Sequence, residues 1–130
     1  MADDDAGPST RDRGQLGERR AAAWLERHGL AIIDANVTLA GAEIDLVARD
    51  PADADELGEA WTCVFIEVRG RSDDRLGHPL ETIDLRKQAR VRRAASAWLI
   101  GRDLWERVAV RFDVIALVGD DDPIWLRDAF

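Results

Sequence analysis

The sequence is poor in cysteine, in lysine and in long apolar runs, and each shortage removes a class of protein. One cysteine among 130 residues, Cys63, excludes an internal disulfide framework and any multi-cysteine metal site, and suits a reducing compartment. No apolar run approaches the roughly 18 residues of a membrane-spanning helix, so no membrane partner is expected. The first ten residues carry three consecutive aspartates and no apolar stretch, which is not a secretory signal and points to the cytoplasm. There is no Gly-x-Ser-x-Gly elbow, and the sole lysine, Lys87, lacks the glycine that precedes it in a phosphate-binding loop. The two histidines, His28 at a helix end and His78 beside Pro79, read more simply as surface residues than as ligands.

What remains is 46% hydrophobic and 34% charged, enough apolar surface for one core and too much for a disordered chain. We expect an acidic disordered tail over 1–12 and a single domain over 13–130. The net charge of -8 speaks against a polyanionic partner, but the charge is unevenly spread. Between Arg69 and Arg93 there are eight basic and four acidic residues, and elsewhere 10 basic against 22 acidic. Seventeen of the eighteen basic residues are arginine, the better side chain for bidentate phosphate contacts.

Residues 15–28 predict a helix stopped by Gly29, with Leu16, Ala21, Ala22, Trp24 and Leu25 as its apolar stripe. Glu18 falls on or beside that stripe, where a carboxylate costs free energy unless it is paired or binds a cation. Three β-like runs follow. Residues 30–37 are rich in β-branched side chains; 42–48 alternate Glu43, Asp45 and Val47 against Ile44, Leu46 and Ala48; 63–69 alternate Phe65, Glu67 and Arg69 against Val64, Ile66 and Val68. Residues 49–60 suit an exposed connection and 70–79 a loop. A second helix is expected from about 82 to 100, with Val91, Ala94, Ala95, Trp98 and Leu99 inward and Arg86, Arg90 and Arg93 sharing another face. A strand over 108–118, a turn over 119–123 and a short edge strand over 124–126 complete an αβββαβ order, an α/β sandwich around a mixed sheet. Cys63 reads as a small buried hydrophobe, and Trp24, Trp98 and Trp105 as core or helix-interface residues rather than stacking platforms for bases. Arg111 and Asp113 share a strand face and are expected to form a structural ion network.

The chemistry lies in Glu43-Ile44-Asp45 and, about 22 residues on, Glu67-Val68-Arg69. If the two strands pair in a suitable register, Asp45, Glu67 and Arg69 point the same way. Two carboxylates converging in a partly buried place repel unless a cation sits between them. Oxygen ligands suit a hard ion such as Mg²⁺ or Mn²⁺, which can acidify water and neutralise charge on a phosphate. On spacing alone, a hairpin with charges on its solvated face is the simpler reading. Against it stand the apolar residues on both sides and Glu18 on a nearby helix stripe.

Several segments resemble the YraN-like family. They are Gly14 to Glu18, then Ala22, Leu25 and Asn36, then Gly41 to Ala48, Val64 to Arg69, Lys87 to Trp98 and Arg111 to Val114, in order over about 14–118. The resemblance implies a restriction-endonuclease-like fold of the PD-(D/E)XK type, similar to archaeal Holliday-junction resolvases. It implies Asp45 as the first metal-binding aspartate, Glu67 as the second acidic ligand and the main-chain carbonyl of Val68 as a further one. Glu18 matches the helix acid that assists metal binding, and Arg69 takes the position of the motif lysine. The family usually has glycine directly before the Glu-Ile-Asp segment; here Ala42 is there and Gly41 stands one place earlier. Arginine effectively cannot lose its proton, so a mechanism needing a neutral amine at 69 is excluded.

The leading expectation is a divalent-metal-dependent endonuclease acting on branched or otherwise structured DNA. Glu18, Asp45, Glu67 and Arg69 would be its catalytic set, and Arg71, Arg75, Arg86, Lys87, Arg90 and Arg93 would contact the DNA backbone. The alternatives are a non-catalytic nucleic-acid-binding accessory protein on a nuclease fold, and a module whose acidic surface binds a basic partner. A resolvase cutting two strands symmetrically would need a homodimer.

Overall fold

The computed structural model describes residues 10–51, 61–71 and 83–130, with the side chains of 10–15 and 71 left out of the description. Its elements are α1 (Thr10–Arg27), β1 (Ala31–Leu39), β2 (Ala42–Asp50), β3 (Thr62–Arg71), α2 (Leu85–Gly101), β4 (Ala109–Val118) and β5 (Ile124–Leu126). This is the expected αβββαβ order with the short edge strand added.

Local sequence explains the element ends. After α1, Gly29 takes a left-handed φ of 100°, Leu30 N–H donates to Leu25 O at 3.1 Å and Gly29 N–H to Glu26 O at 3.3 Å. That is a Schellman stop, with Leu25 and Leu30 buried together beneath it. At the other end α1 begins at Thr10 rather than at residue 15, so residues 10–12 are helical and not part of a tail; residues 1–9 lie outside the described ones. No apolar periodicity marks that first stretch, which is why the sequence hid it. β1 and β2 are joined by Ala40 and Gly41, both at positive φ (52° and 77°), with Leu39 facing Ala42. A two-residue turn of this sort needs positive φ at both central positions. Gly41 therefore meets its requirement one place earlier than the family pattern. On α2 the Asp84 carboxylate caps the helix by accepting from Lys87 N–H at 2.8 Å. The helix thus starts at Leu85, after Ile83 and Asp84, which the sequence had placed inside it.

The five strands lie in the order β1-β2-β3-β4-β5. β1, β2 and β3 pair antiparallel, β3 and β4 parallel, and β4 and β5 antiparallel. Parallel neighbours need a long crossover, and α2 lies in the one between β3 and β4. The two helices cover opposite faces, giving three layers. Val91, Ala94, Ala95, Trp98 and Leu99 of α2 pack on Val47, Cys63, Phe65 and Phe112. Ala21 and Leu25 of α1 pack on Leu46, Ala48, Val64, Ile66, Ile115 and Leu117. β3, buried on both faces from Cys63 to Ile66, forms the middle of the core. Cys63 is a small buried apolar group whose thiol burial pushes up to about 12.

Three expectations need correction. Ile44 joins Val47 in the α2-side cluster while Leu46 joins the α1-side one, so strict alternation breaks between them. Leu16 is 54% exposed and is no core residue. Trp105, beyond the end of α2, is 47% exposed, whereas Trp98 is buried and Trp24 packs against the α1-side core. Of the expected connections 49–60 and 70–79, residues 49–50 belong to β2 and 70–71 to β3, while 52–60 and 72–79 lie outside the described residues. Among the described residues no helix is long and apolar enough to cross a membrane.

The Arg111–Asp113 expectation holds. Asp113 is fully buried and accepts from Arg111 Nε (2.8 Å) and Nη2 (3.0 Å), Trp125 Nε1 (2.9 Å) and Asp128 N–H (2.9 Å). Arg111 Nη1 also reaches Asp50 Oδ2 at 2.9 Å, tying β4 to the end of β2. Removing one partner strands a buried charge, so Asp113→Ala is expected to cost about 3–5 kcal/mol. Urea unfolding checks it: the midpoint should fall at an unchanged slope, and an unmoved midpoint would show that the network adds nothing to stability.

Candidate metal centre

The site lies where β2 parts from β3. Their backbone pairing runs from Asp50–Thr62 to Leu46–Ile66. β3 continues along β4 as far as Arg71–Val118. Beyond Ile66, Val68 N–H donates at 2.8 Å to the Asp45 carboxylate instead. A side chain has replaced a strand carbonyl, which opens a notch and fixes Asp45 in it. On the other side of β2, Asn36 of β1 takes a left-handed φ of 54° between the pairs Ala35–Leu46 and Val37–Ile44, level with Asp45. This irregularity coincides with the break in alternation at Ile44.

Three carboxyl groups meet in the notch. Glu67 follows Phe65 on the α2-facing side of β3, and its side chain is 11% exposed. Glu18 arrives from α1, whose position is fixed by Arg20 donating at 2.6 Å to both Gly119 O and Asp121 O. The Glu18 carboxyl lies within electrostatic reach of the side chains of Asp45 and Asn36, and the Asp45 carboxyl within reach of that of Glu67. Like charges gathered this closely favour the protonated form of a carboxyl group unless a cation offsets them. Burial, then the charge of Glu67, pushes Asp45 up to about 8, against the opposing Val68 N–H. Glu18 is raised as well, chiefly by burial, with Glu43 and Glu67 adding repulsion against the lowering influence of Asp45 and Asn36. One Glu18 oxygen, Oε2, is buried without a hydrogen-bond partner.

A cavity of about 310 Å³ opens on this cluster, walled by Glu43, Asp45, Glu67, Lys87, Arg90 and Val91. A second, of about 240 Å³, adjoins Glu18 and Asn36 over an apolar floor of Ala22, Ile32 and Leu46. The groups able to hold a hard cation are the Asp45 and Glu67 carboxylates, the Val68 carbonyl and, behind them, Glu18. Among the described residues no set of three His, Cys, Asp or Glu side chains already stands in metal-ligating geometry. The expected set has two such side chains and a main-chain oxygen, and Glu67 is held by another partner.

That partner is Lys87, whose Nζ forms an ion pair with Glu67 Oε1. The sequence reading grouped Lys87 with the DNA-backbone residues. Its spacing held the signal for this placement: Lys87 lies one turn before Val91, and thus beside the buried stripe of α2 rather than on the outer face. Arg86, Arg90 and Arg93 are exposed, and Arg90 reaches the cavity wall. Arg69 is half-buried on β3, level with Ala116, and is not among the described residues that wall the cavity. The Arg71 side chain and Arg75 lie outside the described residues. His28 is exposed, stacked on Trp24 and bonded to its carbonyl, away from the site, and His78 lies outside the described residues.

The description "Uncharacterised protein family UPF0102" matches residues 17–117, a span holding all of the residues just placed at the notch. The chain is 44% identical over 124 residues to a UPF0102 protein of Chromohalobacter salexigens, covering 93% of this chain and 92% of that one. It is 42% identical over 123 residues to one from Yersinia pseudotuberculosis (94% and 97% covered). A third, from Burkholderia mallei, is 42% identical over 129 residues (96% and 79% covered).

The Asp45 environment sets a pH dependence. A carboxyl raised from 3.8 to about 8 binds its proton more tightly folded than unfolded. Its contribution to stability is therefore full below pH 3.8 and lost as the pH rises through about 8. In chelator, the melting temperature of the wild type should fall between pH 5 and 8 more than that of Asp45→Asn. Parallel pH profiles for the two proteins would contradict the raised pKa.

Proposed function

Since this chain belongs to the uncharacterised protein family UPF0102, the site itself carries the functional reading, and we propose a divalent-metal-dependent endonuclease that hydrolyses DNA phosphodiester bonds. The observation that carries it is the convergence of Glu18, Asp45 and Glu67 in a partly buried notch, with one Glu18 oxygen left without a partner. The donors fit a hard ion, Mg²⁺ or Mn²⁺: they are all oxygen, they repel one another, and without a cation they must hold protons. Asp45 and Glu67, with the Val68 carbonyl, would hold the ion, and Glu18 would support them from α1. When bound, such an ion supplies charge neutralisation at a phosphate and acidifies water.

The chain's other residues divide the remaining work. Val68 N–H and Asn36 orient the carboxyl groups before any substrate arrives. Arg69 cannot act as a base; from the motif lysine's position, outside the cavity wall, its part would be to offset negative charge developing on the phosphate. Exposed Arg86, Arg90 and Arg93 would run along the DNA backbone, with Arg90 joining that track to the cavity and Arg71 and Arg75 expected beside it. The three-layer α/β sandwich supports a restriction-endonuclease-like fold for the domain; the enzyme would act in the cytoplasm on branched DNA, as a homodimer where two strands are cut symmetrically.

Arginine at position 69 favours a second reading, a DNA-binding accessory protein that has lost the chemistry. Labelled single-stranded, duplex, flap and four-way-junction DNA incubated with Mn²⁺, Mg²⁺ or chelator separates the two. Metal-dependent cutting should vanish in Asp45→Ala and in Glu67→Ala while both remain folded, and undiminished cutting in both would remove the proposed site. Binding without cutting under any metal, weakened by salt and by Arg86→Ala with Arg90→Ala, would select the second reading.

A further inference from the structure

Lys87 is the only lysine of the chain, and it reaches past the other cations of α2 to the acidic notch. Its place is built. The Asp84 carboxylate caps the helix on Lys87's own N–H, which sets the first turn, and Val91 one turn later anchors the helix to the sheet. Nζ then meets Glu67 Oε1, on a carboxylate that is 11% exposed, while the Lys87 side chain is 36% exposed and keeps room to move. Glu67 shares its cavity with Asp45, so the ammonium sits at the edge of the carboxyl cluster. An ammonium on Glu67 repels an incoming cation and occupies one of the oxygens that the cation needs.

We propose that Lys87 is a built-in counter-cation that competes with the divalent ion for Glu67 and thereby sets the metal affinity of the site. The inference rests on the metal-binding reading above and goes beyond it, since it gives Lys87 a role toward the ion rather than toward the DNA backbone. In the metal-free protein Lys87 keeps Glu67 paired, which spares the fold an uncompensated, nearly buried charge. When a divalent ion binds, the flexible stem lets the ammonium withdraw into the cavity that it already lines.

The test is a Mn²⁺ titration of the full chain, followed by the electron paramagnetic resonance signal of the free ion, on wild type and variants. Lys87→Gln should bind Mn²⁺ about tenfold more tightly, within the usual range of coupling between two binding events. Lys87→Arg, which keeps the charge, should stay close to wild type. Arg27→Gln, which changes the net charge equally on an exposed turn of α1, should also leave the affinity unchanged. In chelator Lys87→Gln should melt below wild type, and Mn²⁺ should raise its melting temperature more than that of wild type. Lys87→Met keeps the apolar stem and serves in the same way where Gln disturbs folding. If wild type binds Mn²⁺ through Asp45 and neither Lys87→Gln nor Lys87→Met binds it more tightly, the competition is refuted while the metal reading stands. If neither wild type nor the Lys87 variants bind Mn²⁺, both are overturned.

Discussion

The candidate site is governed by mutual repulsion between carboxyl groups that the fold has partly withdrawn from water. Asp45 is held in place by a main-chain N–H where two strands separate, and Glu67 and Glu18 converge on it from a neighbouring strand and from a helix. Such an arrangement is not stable by itself. Something positive must occupy it or a proton must be taken up: the Lys87 ammonium stands on Glu67, and Asp45 holds its proton well above the usual carboxylate range. The chemistry we propose for the site follows from that imbalance rather than from any single residue.

The rest of the fold supplies rigidity for this tension. β3 is buried on both faces, between the α1 and α2 cores, so Glu67 projects from the best-anchored strand of the sheet. At the far end of the β2–β3 ladder, Asp50, Arg111 and Asp113 form a second buried ionic cluster, but there one guanidinium bridges the two carboxylates and further N–H donors reach Asp113. The contrast separates the two clusters in kind. Paired groups with satisfied oxygens hold strands together, whereas like-charged groups with an unpartnered buried oxygen are the ground of the metal-binding proposal.

Much of this was legible in the sequence because it rests on short-range rules. Alternation identified β2 and β3, Gly29 identified the end of α1, and the period of Val91, Ala94, Ala95, Trp98 and Leu99 gave the inward face of α2. The pairing of Asp45 with Glu67 needed a strand register as well, and the family resemblance singled out these two. What was missed depends on irregular backbone or on reach. The change of cluster between Ile44 and Leu46 coincides with the left-handed turn at Asn36, which no period reports. Lys87 was grouped with its arginine neighbours by charge, although its spacing from Val91 placed it beside the buried stripe. Trp105 follows a helix end whose left-handed Asp103 turns the chain outward, so its aromatic character misled.

The most direct test of the account is the anomalous scattering of Mn²⁺ in crystals of the wild-type protein. The account predicts one strong peak in the notch, within coordinating distance of Asp45 and Glu67 carboxylate oxygens and the Val68 carbonyl, with the Lys87 ammonium moved off Glu67. A peak elsewhere, or an intact Lys87–Glu67 pair with no peak at saturating Mn²⁺, would contradict it.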